Sequence, residues 1–354
     1  MRLLSVLAMA GLLSGCTTLG YYWQSVSGHM NILNAARPVA EVVADPQTPA
    51  DLKARLELSQ RIRSFAAREL KLPNNASYTR FADLRRSAVV YNVVAAPEFS
   101  LTLKTWCFAV VGCVGYRGYF NQADAQKEAD KLTADGYEVS VYGVPAYSTL
   151  GKLDWLGGDP LLSTFIRYPE GELARLIFHE LAHQVVYAPD DTMFNESFAT
   201  AVERLGSEKW LTTNASPAAR AEYAAFNMRR QQFRQLTLAT RRELARIYAS
   251  NVPVGDENKT QAATKLIAMM RFKDGYLALK DSWSTTQSTS GFDAWVARAN
   301  NASFGAQAAY DELVPGFEAL FEAQGKDWQR FYDAVRQLAS LPKNERHEAL
   351  KTIS

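Results

Sequence analysis

The spacing of apolar positions changes several times along the chain, and each change marks an element. Residues 172–188, ELARLIFHELAHQVVYA, place Leu173, Leu176, Ile177, Phe178, Leu181, Val185 and Val186 on nearly every side of a helix, which predicts burial in the interior rather than a solvated face. Pro189 must stop this helix near Tyr187 or Ala188, Asp190 and Asp191 suit the N-cap of a second helix, and Gly206 is expected to end that one. Upstream, residues 49–71 have helical apolar spacing ahead of Pro73. The segments 87–97, 99–108 and 137–144, rich in Val, Tyr, Phe and Thr with partial alternation, read as strands. Between the last two, residues 122–136 read as an exposed helix closed by Gly136.

Past Gly206, long helices are expected at about 216–250, 258–283, 304–323 and 326–340, interrupted by a turn-rich stretch at 251–259 and a polar loop at 282–292. The pattern predicts an α+β fold that is mostly helical. A small strand-containing N-terminal lobe (48–170) precedes a central helix pair (171–206) and a helical C-terminal lobe (207–354).

The buried helix carries the chemistry. His179 and His183 are four residues apart, so they lie about 40° from one another on one face and two imidazoles can share one ion. Glu180, rotated by about 100°, comes beside the ion's open position, where a general base is needed. HExxH alone also occurs on ordinary polar helix faces, but buried imidazoles and carboxylates need partners, and this motif takes two of only four histidines. A catalytic zinc keeps three protein ligands and a water. Glu196 is the expected third ligand, since an antiparallel pair with a short loop brings it level with His183; Asp190 or Asp191 could reach the ion instead. Glu203 and Thr200 share the face of Glu196 and could orient a liganding histidine, with Glu203 favoured. Asn195 fits a helix-start role, because amides are poor zinc ligands.

His179-Glu180-x-x-His183 followed by Asn195-Glu196-x-x-Ala199 resembles the gluzincin pattern of thermolysin-like and aminopeptidase N-like enzymes, with a much shorter gap. Together with the N-terminal cysteine context, VVGCVGYRGYF (110–120) and VPAYSTLG (144–151), it resembles a family of bacterial lipoproteins described as aminopeptidases. The resemblance implies a zincin-like fold, one zinc ion and a peptide substrate. It also implies an edge strand that pairs with the substrate, for which Tyr142, Gly143 and Val144 are the candidates; an ordinary edge strand blunted by Pro145 is the alternative. A tyrosine from the helical lobe would donate to the oxyanion, and Tyr310 is the candidate, while His347 sits in a charged tail where a surface role is expected. GYRGYF (115–120) places Arg117 between two tyrosines and could present a cation or hydroxyls to a substrate carboxylate, although stacking of Arg117 on the tyrosines is the favoured reading.

Composition adds location. Residues 1–15 join Arg2 to an apolar stretch too short to span a bilayer and read as a signal peptide. Leu13-Ser14-Gly15-Cys16 resembles a bacterial lipobox, which implies acylation of Cys16, a lipidated tether over 16–47, and, with Thr17 rather than Asp following, the outer membrane facing the periplasm. Cys107 and Cys113 can form a disulfide in an exported protein, or remain two buried thiols. A net charge of +2 without a basic run argues against nucleic acid as a partner.

Overall fold

In the computed structural model, residues 20–108, 112–146, 148–151, 156–249, 257–283, 288–308 and 312–353 are described. Helix α1 covers 20–35 and is followed by β1 (Arg37–Pro38), α2 (Val39–Ala44) and α3 (Ala50–Glu69). The strand-bearing part comprises β2 (Arg80–Ala82), β3 (Val90–Pro97), β4 (Trp106–Phe108), β5 (Gly112–Val114), β6 (Arg117–Tyr119), α4 (Gln122–Ala134), β7 (Tyr137–Val144) and β8 (Leu161–Leu162). The HExxH helix is α5 (Glu170–Ala182) and the glutamate helix is α6 (Thr192–Thr213). After them come α7 (Pro217–Ala249), α8 (Glu257–Ser282), α9 (Ser290–Ala297), α10 (Asn301–Ala308), α11 (Val314–Ala323), α12 (Trp328–Ser340) and α13 (Lys343–Ile353). The architecture is α+β and mostly helical, with the strands confined to the N-terminal half.

β3 lies at the centre of a three-stranded antiparallel sheet, between β6 and β7. Its side chains alternate between two cores, as a two-residue repeat requires. Val93 and Ala95 join Ala125, Ala129 and Leu132 of α4, and Val94 and Ala96 join Ala302 of α10. The apolar face of α4 is therefore used, although most of its surface is exposed. The principal core gathers α3, α5, α6, α11 and α12, with Phe178, Phe194, Phe198, Phe317 and Phe331 fully buried.

Several expected boundaries move. The 99–108 strand shrinks to Trp106–Phe108, because Leu101 and Leu103 spend their apolar side chains on α10 and its neighbours instead of a ladder. α5 ends at Ala182, where Gln184 N and Val185 N bond back three residues to the carbonyls of Leu181 and Ala182 and tighten the last turn. Gly206 does not end α6. It sits mid-helix, where an added Cβ would come 2.7 Å from Leu70 Cδ1 and 3.0 Å from Phe178 Cδ2, so it serves close packing rather than termination. The single helix expected over 304–323 is two, α10 and α11, the second starting with Pro315 in its first turn. The polar loop at 282–292 already contains the start of α9, and the charged tail after residue 342 is helical.

Candidate metal centre

The α5–α6 pair aligns its polar residues antiparallel. Arg175 meets Glu203, His179 meets both Glu203 and Glu196, and His183 meets Glu196. The turn between the helices fixes this register. Asn195 clips it shut, its amide donating to Ala188 O and its carbonyl accepting from Ala188 N, each at 2.8 Å. Asp191 caps α6 by accepting from Phe194 N, and its wholly buried carboxylate also contacts His347 Nε2 at 2.9 Å and Arg346 Nη1 at 3.4 Å. His347 thus holds the start of α6 and does not reach the centre. Asp190 turns the other way and accepts from Cys113 N at 2.6 Å. With both aspartates so engaged, the carboxylate beside the two imidazoles is Glu196.

His179 Nε2 and His183 Nε2 are 3.2 Å apart, and Glu196 Oε2 lies 3.3 Å from the first and 3.7 Å from the second. A tetrahedral ion with bonds of about 2.0–2.1 Å needs donor–donor edges of about 3.3–3.4 Å. Those three atoms are thus spaced as three corners of such a site, and a metal fits the residues present. The electrostatics agree. Burial works against charge on His179, yet hydrogen bonds to Glu196 and Glu203 and their charges outweigh it and raise its pKa to about 10, so the pocket prefers a positive charge here. Burial lowers His183 to about 4, leaving a neutral imidazole able to donate a lone pair. His183 Nδ1 is buried with no hydrogen-bond partner among the described residues.

Behind the centre, Glu203 Oε2 lies 3.0 Å from His179 Nδ1, and Glu203 Oε1 accepts from Arg175 Nε at 2.7 Å. Arg175 is also 3.5 Å from Glu172, which Arg230 reaches from α7. Despite burial, Arg175 and His179 hold the Glu203 carboxyl down at about 2. The resulting file of alternating charges fixes His179 in one orientation, as orienting carboxylates do for liganding histidines. Arg175 was not anticipated, although it sits four residues before His179 on the same face.

Glu180 is half-buried beside this cluster. Burial first, then the charges of Glu196, Asp159 and Glu203, raise its pKa to about 7 against the opposing pull of His179. It faces a cavity of about 570 Å³ that His179, His183 and Glu196 also line. The walls come from three directions: Tyr21, Tyr22, Ser25 and His29 of α1, Phe108, Val114 and Tyr116 of the hairpin region, and Val144 at the end of β7 with Pro145 and Ala146 after it. A second cavity of about 460 Å³ opens on the far side of His179 and Glu180, lined by Arg175, Arg230, Arg234 and Gln307.

Of the expected substrate strand, β7 is an edge of its sheet among the described residues, and Val144 lines the cavity. Tyr142 and Gly143 do not line it. Tyr142 packs with Val94, Ala96 and Ala302, and Gly143 has no room for a Cβ, which would sit 2.5 Å from Ala88. Tyr310 and Cys16 lie outside the described residues. Arg117 stacks on Tyr21, 4.2 Å from its centroid, and pairs with Glu128 at 3.3 Å. Cys107 and Cys113 are a cross-strand pair of β4 and β5 joined by a disulfide.

Two tyrosines add to the wall, of which Tyr187 was not anticipated. Tyr116 and Tyr187 line the cavity, and burial followed by the charge of Glu196 raises both hydroxyls, Tyr187 to about 12, so each stays a proton donor. Tyr116 belongs to GYRGYF, the segment expected to present a cation or hydroxyls to a substrate.

No curated protein and no solved structure matches the chain. The family model described as "Putative aminopeptidase" matches residues 20–350, and the chain belongs to that family.

Proposed function

We propose that this protein is a zinc-dependent peptidase of the bacterial envelope, acting as an aminopeptidase and anchored by lipid at Cys16. The observation that carries the reading is the triangle of His179, His183 and Glu196 donor atoms beside Glu180 in a cavity large enough for a few residues of peptide. Bound at those three donors, zinc would polarise the scissile carbonyl and acidify a water molecule. Glu180 receives the proton of the attacking water and returns it to the leaving amine, a task suited to a carboxylate whose pKa burial has lifted toward neutrality. Glu203 holds His179 through Nδ1, which leaves Nε2 for the ion. Tyr116, kept protonated by burial and on the cavity wall, is a donor for the developing oxyanion. No helix of the described residues is long and apolar enough to cross a membrane.

The decisive comparison is wild type against Glu180→Gln. Metal content should be equal in the two, and peptide hydrolysis should fall by about 10²–10⁴-fold in the variant; activity that survives the change sinks the mechanism. One observation favours endopeptidase action as a second reading. Among the described residues, Glu180 and Glu196 are the only carboxylates on the wall of the larger cavity, and no further acid is there to hold a free α-ammonium group. Peptides with free and with acetylated N-termini separate the two, since an aminopeptidase leaves the acetylated set intact.

A further inference from the structure

The first three turns of α1 are inside out. Gln24, Ser25, Gly28 and His29 face the protein, while Trp23, Val26 and Met30 face outward with relative exposures of 73%, 58% and 39%, and Tyr22 lies between the two, on the edge of the cavity. Ordinary amphipathic helices do the reverse. The inward face cannot be exchanged for the outward one, because its polar groups are committed. Gln24 Oε1 accepts from Phe120 N at 3.1 Å, Arg117 stacks on Tyr21, and Gly28 lies so close to the Phe120 ring that a Cβ would come within 2.8 Å of its Cβ. The apolar residues at 23, 26 and 30, spaced three and four apart, therefore form a fixed outward stripe.

What covers the stripe follows from where the chain leads. Cys16 is four residues before the start of α1, a reach of at most about 14 Å, and from residue 3 to residue 36 the sequence contains no Asp, Glu, Lys or Arg. A segment without charges, carrying two tyrosines and a tryptophan in its first turn, matches the chemistry of the bilayer interface, where aromatic rings gather at headgroup level.

We propose that the outward face of α1, made by Trp23, Val26 and Met30, lies in the headgroup region of the bilayer that holds Cys16. This rests on the lipid-anchor reading above. Because Tyr21, Ser25 and His29 on the opposite side of the same helix, and Tyr22 at its edge, line the larger cavity, that cavity begins within one helix diameter, ~10 Å, of the lipid surface. The substrates within reach are then peptide segments held at the membrane rather than peptides free in bulk solution.

The test uses the full acylated chain, reconstituted in vesicles of phosphatidylethanolamine and phosphatidylglycerol with and without bromine on the acyl chains, and mass spectrometry of the N-terminal peptide. Brominated lipid should quench tryptophan fluorescence in wild type, and Trp23→Phe should reduce that quenching at least fivefold. An acylated wild type that is not quenched, or a Trp23→Phe chain quenched as strongly, overturns the proposed face while leaving the anchor intact. A chain without acyl groups on Cys16 overturns both. A second measurement addresses the other possible occupant of the stripe. If the non-acylated Cys16→Ser chain is a dimer in solution that Trp23→Ser with Val26→Ser and Met30→Ser converts to monomer, the face belongs to a second copy and the bilayer assignment is wrong.

Discussion

Replacing Glu203 by Gln tests whether the carboxylate behind His179 tunes the metal centre or serves only as a partner for Arg175. The substitution keeps the side-chain size and one carbonyl oxygen, so a hydrogen bond to His179 Nδ1, now 3.0 Å from Oε2, can persist while its charge assistance is lost. Bonds to charged groups are worth about 1.5–3 kcal/mol, and loss of an orienting carboxylate behind a liganding histidine costs about 10–100-fold in metal affinity. The two figures agree, because tenfold is about 1.4 kcal/mol. Competition with a chromophoric chelator at fixed pH and salt should therefore show zinc held about 10–100-fold more weakly.

The same change removes a partner from Arg175, but Glu172 remains 3.5 Å away. The loss of folding stability should accordingly fall short of the about 3–5 kcal/mol expected for a buried charge stripped of its only partner. Urea unfolding in the presence of EDTA isolates that contribution from metal binding, since a bound ion would itself stabilise the native state. An affinity within twofold of wild type, together with a lowered urea midpoint, would refute the reasoning. Glu203 would then be a structural partner of Arg175 that happens to touch His179.

Three further outcomes follow from the packing. Asn195→Ala leaves the N–H and C=O of the buried Ala188 without partners, which should cost about 2–4 kcal/mol by urea titration and weaken zinc binding as Glu196 loses its register. Phe198→Ala, at a fully buried site among Phe317, Phe331 and Tyr332, should cost about 3–5 kcal/mol, and equilibrium unfolding will measure it. Changing Cys107 and Cys113 together to Ser opens a loop with a sequence separation of 6, which chain entropy values at about 2 kcal/mol; guanidinium midpoints of the oxidised wild type and the double variant test this.

Local rules carried the sequence reading wherever the deciding contacts lie within one turn. The four-residue spacing of His179 and His183 puts both imidazoles on one helix face whatever the rest of the chain does. The continuous apolar surface of α5 likewise made its burial legible, as did the runs of β-branched and aromatic residues in β3 and β7. Local rules misled where a residue answers to a distant neighbour. Gly206 has the composition of a helix stop, yet its missing side chain is needed where α6 meets Leu70 and Phe178. Leu101 and Leu103 have strand spacing but are used against α10.

By itself, then, the sequence determined an α+β class, a buried HExxH helix and a short list of third donors. Tertiary structure decided which carboxylate stands beside the two imidazoles, because registration between two helices depends on the turn that joins them and the residues that let them approach, and neither has a period that can be read along the chain. Only the folded arrangement placed Glu196 beside the two imidazoles and sent Asp190 to the disulfide hairpin and Asp191 to His347 and Arg346. It likewise brought Tyr116 and His29, 63 and 150 residues before His179 in the sequence, to the wall of one cavity. The same holds for α1, expected only as part of a tether, where the fold commits the polar side of the helix to the protein and leaves Trp23, Val26 and Met30 facing out.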